Sequence, residues 1–132
     1  MHSNTYSGNP LAVCAALATL KTIKKEQLLQ QVPSLQEEMI QHLSAIALET
    51  KQLTNVRGIG GIVAAQLNPV EDFRIGNAVY QQALKHGALI RPMGDTLYWL
   101  PPLNIDKETI GKLAEITLNS IQDAYFYGEQ HE

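Results

Sequence analysis

The chain has 132 residues, 45% of them hydrophobic and 17% charged, with a formal net charge of −3. This length and composition are ordinary for one globular domain and exclude a disordered, collagenous or repeat protein. Because Lys and Arg are scattered along a net-negative chain, a nucleic-acid partner has little electrostatic support. No apolar run approaches the roughly 20 residues that cross a bilayer, so we expect no membrane partner.

The amino-terminal residues and the single cysteine bear on the cellular compartment. The opening residues 1–4 lack the basic and apolar regions of a signal peptide. Cys14 cannot form an internal disulfide, and its alanine-rich setting predicts a small packed side chain rather than a nucleophile. We therefore expect a cytoplasmic protein.

Two helices are predicted at the start of the chain. Asn9 followed by Pro10 indicates a helix N-terminus, and apolar residues then recur at helical spacing over residues 11–23. A second helix is predicted over residues 28–46, where Pro33 should kink or interrupt the helix near its start.

The rest of the chain mixes strands and helices. The glycine-interrupted apolar run 56–67 predicts one buried strand with a bulge. A third helix is predicted over residues 73–84, with a glycine cap after it. Two short strands over residues 88–91 and 96–100 follow, with a turn between them. A last helix is predicted over residues 106–125.

This order of elements predicts the fold class. Helices segregated on one side of a small, mainly antiparallel sheet make an α+β domain. No linker divides the sequence. We expect residues 1–25 to form a polar leader and an interdomain helix, and residues 26–132 to form a small domain.

A search for a complete active site among the residues finds none. The four histidines have no Cys or His partner at metal-ligand spacing, so no metal site is expected. Residues 58–61 are glycine-rich but lack the Lys-Ser/Thr of a phosphate-binding loop, so the glycines indicate tight packing.

Two segments could bind anions. Residues 5–10 precede the first helix, where backbone N–H groups and the helix dipole favour a phosphate, although composition alone indicates only a helix cap. Arg91, fixed by Pro92, could grip a carboxylate with two hydrogen bonds, or it could be a surface ion-pair partner. The residues alone leave both alternatives open.

Three segments in register resemble the class III, pyridoxal-phosphate-dependent aminotransferases. Residues 2–12 resemble the segment that follows the catalytic-lysine region, and residues 56–60 resemble the strand that opens the family's C-terminal domain. Residues 90–94 with 97–103 are similar to the signature of the family's biotin-pathway branch. The resemblance implies the small C-terminal domain of a fold-type I pyridoxal-phosphate enzyme.

The resemblance also implies roles for five residues. Thr5, with Asn4 before it, would bind the phosphate of pyridoxal 5'-phosphate (PLP) in the other subunit's site of a homodimer. Arg91 would hold the carboxylate of a small-molecule substrate, with Tyr98 beside it. Ser3 would line the substrate site.

The same resemblance places the Schiff-base lysine in an upstream domain. No lysine of this chain lies in a matching motif, so the chain alone is expected to be inactive. Tyr98 stands where acetylornithine- and ornithine-type relatives tend to carry arginine. This favours the branch that transfers an amino group from S-adenosylmethionine to 8-amino-7-oxononanoate. Another class III transaminase, or a non-catalytic docking domain, remains an alternative.

Overall fold

The computed structural model describes residues 7–71 and 74–129. The chain forms two compact units, Met1–Gln31 and Val32–Glu132. The predicted division into residues 1–25 and 26–132 stays a prediction. In chain order the helices and strands are α1 Pro10–Lys25, α2 Leu28–Thr50, β1 Leu53–Ile59, β2 Ile62–Leu67, α3 Ile75–Lys85, β3 Thr96–Trp99 and α4 Lys107–Glu129.

Helix α1 begins where the sequence predicts, with Asn9 as its N-cap and Pro10 as its first residue. The side chain of Asn9 accepts hydrogen bonds from the backbone N–H groups of Leu11 and Ala12. No residue of α1 is buried. The prediction of a packed Cys14 is therefore wrong, because the thiol lies on an exposed helix.

The second unit contains a three-stranded antiparallel sheet in the order β1-β2-β3. The single strand predicted over residues 56–67 is wrong, since β1 and β2 form a hairpin that turns at Gly60 and Gly61. Gly60 has a φ of 58°, which a residue without a side chain adopts at little cost. Its N–H donates to Oε1 of Gln36 on α2 at 2.5 Å, which holds the turn against that helix.

The strand predicted over residues 88–91 is also absent from the sheet. That segment is irregular, and an isolated bridge between Met93 and Thr96 follows it. Pro92 has no N–H to donate, so a ladder cannot continue through it. The strand predicted over residues 96–100 is confirmed as β3.

The core lies against one face of the sheet. The buried residues Val63 and Ala65 of β2 pair with Trp99 and Leu97 of β3, which places all four on that face. Helices α2, α3 and α4 supply much of the rest of the core, which includes Leu35, Met39, Leu43, Ile75, Val79, Ile110 and Ile121. The predicted α+β class is confirmed.

The caps predicted at the start of α4 and at the end of α3 are also present in the structure. Asp106 caps α4 by accepting hydrogen bonds from the backbone N–H and the hydroxyl of Thr109 at 2.7 and 2.9 Å. These bonds, the backbone one first, lower the pKa of the Asp106 carboxyl. At the end of α3, Gly87 has a φ of 92°, as a glycine cap requires. Nε2 of His86 then lies 2.8 Å from the carboxylate of Asp123 on α4.

Tyr125 of α4 generates the first testable prediction. Its hydroxyl donates to the carbonyl oxygen of Asn68 at 2.6 Å, and burial first, with the charge of Asp95 second, raises the pKa of the phenol. We expect Tyr125→Phe to lower the free energy of unfolding by about 1–2 kcal/mol, because a part-buried carbonyl loses its donor. Urea denaturation measures this loss.

The matched control is Tyr80→Phe on α3. Within the described ranges the Tyr80 hydroxyl has no hydrogen-bond partner, so its removal should leave the unfolding free energy nearly unchanged. An equal loss in the two variants would show that the bond to Asn68 contributes nothing specific.

Gly76 of α3 generates the second prediction. A Cβ at this position would overlap the carbonyl oxygen of Gly94, a backbone atom that cannot rotate away. We expect Gly76→Ala to destabilise the chain by about 1–3 kcal/mol, the usual range for overpacking.

A methyl group at Gly111 of α4 would meet no atom within 4 Å. Gly111→Ala should therefore stabilise the helix by up to about 1 kcal/mol. Effects of the same sign in urea denaturation would contradict the prediction.

Candidate functional site

Arg91 is held between a buried anchor and a closed turn. Ile90 is only 3% exposed and fixes the chain in the core just before the arginine. After Pro92, the backbone N–H and carbonyl groups of Met93 and Thr96 exchange hydrogen bonds at 2.9 and 3.0 Å. The carbonyl of Asp95 in this turn accepts from the Leu67 N–H at 2.8 Å, which ties the turn to β2. The exposed side chain of Arg91 therefore starts from a fixed backbone.

Arg91 lines two open cavities of the second unit. The larger, of about 700 Å³, lies between the start of α3 and the turn before β3. Its lining residues are Arg74, Gly76, Asn77, Tyr80, Leu89, Arg91, Pro92, Gly94 and Asp95. The smaller, of about 430 Å³, is lined by Leu89, Ile90, Arg91, Tyr98, Trp99, Leu100, Pro101 and Leu113.

The smaller cavity brings together the two predicted substrate residues that the structure describes. Tyr98 is half-buried on β3 and pairs with Ala64 of β2. It lies on the sheet face opposite the buried residues Leu97 and Trp99, because successive strand residues alternate. Nε1 of Trp99 donates to the Thr117 hydroxyl at 3.2 Å, which fixes β3 to α4 and so fixes the register of Tyr98.

The arginines differ in their partners. Nη1 of Arg57, on β1, donates to the backbone carbonyl of Asn55 at 3.0 Å. Within residues 7–71 and 74–129, no ion pair or hydrogen bond of the Arg74 or Arg91 guanidinium is present. A guanidinium without a counter-ion in a cavity can hold a carboxylate with paired hydrogen bonds.

The start of α1 bears on the predicted phosphate site. Oδ1 of Asn9 accepts from Leu11 and Ala12, and the Asn9 carbonyl accepts from Val13 at 3.0 Å. Pro10 has no N–H, so the donors of the first turn are already used. Described residues therefore support the helix-cap alternative at Asn9. Of the predicted site residues, Ser3, Asn4 and Thr5 lie outside the described part of the chain.

The seven lysines lie apart from the two cavities of Arg91. All of them are exposed, and none lines a cavity that contains Arg91. They are Lys21, Lys24, Lys25, Lys51, Lys85, Lys107 and Lys112. The residues that the structure describes hold neither a phosphate cradle nor an enclosed lysine, and by themselves they do not fit the cofactor.

Two further kinds of site are absent from residues 7–71 and 74–129. No group of His, Cys, Asp and Glu side chains is arranged to hold a metal ion. No helix there has the length and apolar character needed to span a bilayer.

Sequence reasoning missed Arg74, Asn77 and Asp95 as cavity residues. Arg74 precedes Arg91 by a whole helix, and only the close approach of Gly76 to Gly94 brings the two arginines to one cavity. The sequence feature at this contact is Gly76 itself, since a residue without a side chain allows backbone atoms to approach closely.

Comparisons with known proteins identify the family of the chain. The family model described as Aminotransferase class-III matches residues 1–121. Among curated relatives, the adenosylmethionine-8-amino-7-oxononanoate aminotransferase of Helicobacter pylori is 30% identical over 115 residues, covering 85% of this chain and 26% of the relative. The acetylornithine aminotransferase of a Synechocystis species is 34% identical over 122 residues, covering 91% and 28%.

A solved structure agrees with the fold. The omega transaminase of Pseudomonas jessenii in complex with PMP superposes with a TM-score of 0.86 at 26% identity, covering 97% of this chain and 30% of that one. The chain thus spans between a quarter and a third of the length of each of these three proteins. Because the family model covers nearly the whole sequence, the chain belongs to the class III aminotransferases, a PLP-dependent family.

Proposed function

We propose that the chain is the C-terminal part of a PLP-dependent aminotransferase of biotin synthesis. The complete enzyme would transfer an amino group from S-adenosylmethionine to 8-amino-7-oxononanoate. Support comes from the Helicobacter pylori relative and from Tyr98, which stands where the family resemblance leads us to expect arginine in acetylornithine- and ornithine-type relatives.

The observation that carries the proposal is the position of Arg91. Its guanidinium has no counter-ion among described residues and lines a cavity that also contains Tyr98. The acceptor, 8-amino-7-oxononanoate, ends in a carboxylate, which a guanidinium binds with two parallel hydrogen bonds. Arg91 would thereby fix one end of the acceptor.

The apolar neighbours of Arg91 could contact the aliphatic chain of that acceptor. Leu89 is 76% exposed and Leu100 is 65% exposed, and both line the cavity of Arg91 and Tyr98. An aliphatic chain between the carboxylate and the reacting carbonyl would cover these side chains and gain from their removal from water. The cavity would therefore contribute binding and orientation, whereas PLP would supply the amino-transfer chemistry.

The rest of the active site would come from outside this chain. The Schiff-base lysine would belong to an upstream domain, and the exposed lysines described above are consistent with this. We also propose that the complete enzyme is a cytoplasmic homodimer. In it, Thr5 and Asn4 would bind the PLP phosphate in the partner's site, and Ser3 would line the substrate site. The chain by itself would be inactive.

A second candidate function is an acetylornithine-type aminotransferase. The Synechocystis relative is 34% identical, compared with 30% for the Helicobacter pylori relative, so identity alone does not separate the two activities. Assays with alternative amino donors separate them directly.

Arg91→Gln in the longer protein that contains this chain is the third prediction. The parent protein should form product from S-adenosylmethionine and 8-amino-7-oxononanoate. The variant should raise the KM for the acceptor about tenfold or more, because a hydrogen bond to a charged group contributes roughly 1.5–3 kcal/mol. Steady-state kinetics with each substrate varied in turn measures the change.

Arg57→Gln is the matched control, since Arg57 lies on β1 and lines neither cavity of Arg91. It should leave the acceptor KM unchanged. Turnover with N-acetylornithine, ornithine or an ω-amine, without turnover with S-adenosylmethionine, would overturn the assigned substrates. An unchanged acceptor KM in Arg91→Gln would remove Arg91 from its role.

A further inference from the structure

We propose that Thr117 is a positioning residue for the amino acceptor. Its buried hydroxyl joins Trp99 of β3 to the backbone of α4 and thereby sets the shape of the smaller cavity, which Thr117 itself does not line. The inference rests on the proposed function, in which the acceptor occupies this cavity. It adds a residue that acts on the acceptor only through others.

Two elements of the second unit each supply part of the wall of this cavity. Tyr98 and Trp99 are lining residues from β3, and Leu113 is a lining residue from α4. The cavity therefore keeps its shape only while β3 stays in place relative to α4.

A hydroxyl relay connects these two parts of the wall. Trp99 is only 2% exposed, so its indole N–H needs a partner inside the protein. Nε1 of Trp99 donates to the Thr117 hydroxyl at 3.2 Å, and that hydroxyl donates to the carbonyl oxygen of Leu113 at 2.7 Å. Because a hydroxyl has one hydrogen and an indole N–H can only donate, the direction of the relay is fixed. The relay begins on one lining residue and ends on another.

Ser120 provides an internal comparison on the same helix. Thr117 and Ser120 are both fully buried, and the Ser120 hydroxyl also donates to the carbonyl four residues earlier, that of Ile116, at 2.6 Å. Such a bond satisfies the hydroxyl within its own helix. Among the described residues, Ser120 has no second hydrogen bond, whereas Thr117 also accepts one from Trp99. The bond to Trp99 is what distinguishes Thr117 from an ordinary buried hydroxyl.

Loss of the Thr117 hydroxyl would act on acceptor binding. The indole N–H would remain in the core without its acceptor, which is unfavourable unless the ring moves. A shift of Trp99 would also displace Tyr98, its neighbour on β3, and so change the cavity that both residues line. The PLP chemistry would take place on groups outside this chain, so the turnover rate should change little.

The test uses the longer protein that contains this chain. Thr117→Val removes the hydroxyl and keeps the branched shape, whereas Thr117→Ser keeps the hydroxyl. Ser120→Ala is the matched control, because it removes a buried hydroxyl of α4 that has no bond to a cavity residue. Circular dichroism checks that each variant is folded, and steady-state kinetics with donor and acceptor varied in turn gives kcat and each KM.

We expect Thr117→Val to raise the KM for the acceptor about threefold to fivefold, as the loss of one neutral hydrogen bond implies, with kcat nearly unchanged. Thr117→Ser should restore the acceptor KM, and Ser120→Ala should leave it unchanged. In a Trp99→Phe background, whose ring has no N–H, Thr117→Val should cause no further rise, because the bond is already absent. A merely structural role would instead lower kcat through loss of folded protein.

Two results would overturn the proposal, and they differ in what else they remove. If Thr117→Val leaves the acceptor KM unchanged while Arg91→Gln raises it, Thr117 has no positioning role and the proposed function survives. If neither variant changes the acceptor KM, the proposed role of Arg91 fails as well. Should Thr117→Val not fold, Trp99→Phe decides, since an unchanged acceptor KM without the indole N–H would also overturn the proposal.

Discussion

The approach of Gly76 to the carbonyl oxygen of Gly94 is the contact on which the candidate site depends. It leaves no room for a Cβ at position 76, so the first turn of α3 packs directly against the turn before β3. The turn is fixed in its own right by the Met93–Thr96 hydrogen bonds and by the bond from Leu67. Two chain segments that are distant in sequence therefore form one wall.

This wall determines what Arg91 can do. A guanidinium next to a carboxylate of its own chain would be a structural ion pair, worth little at an exposed position. Here the Arg91 guanidinium has no such partner within the described residues, and it borders cavities on both sides. Its charge is thus available to a ligand. The packing of Gly76 against Gly94 therefore supports the carboxylate binding that we propose for Arg91.

The sequence predicted those features that depend on neighbouring residues. Asn9-Pro10, Asp106 with Thr109, and Gly87 are local signals for helix ends, and all three lie where they were expected. The hairpin at Gly60 was missed, because a short apolar run with glycines fits a bulged strand as well as two paired strands. The turn is held by a long-range hydrogen bond, in which the Gly60 N–H donates to Oε1 of Gln36.

The candidate site residues also divide into those predicted from neighbouring residues and those that depend on tertiary packing. Arg91 and Tyr98 were predicted from a resemblance of contiguous motifs, and both line one cavity of the structure. Arg74 and Asp95 reach the larger cavity through tertiary packing, for which a single sequence carries no pairing information. Helix α1, which buries no residue, kept its predicted N-terminus because the cap needs only local atoms.

The most direct test of the account is to titrate the purified chain with PLP, reduce it with borohydride and map the labelled peptides by mass spectrometry. We expect weak, non-saturating labelling spread over several of the exposed lysines, because none lines a cavity of Arg91. Stoichiometric labelling of one lysine at low PLP would contradict it, since the chain would then hold a complete cofactor site of its own.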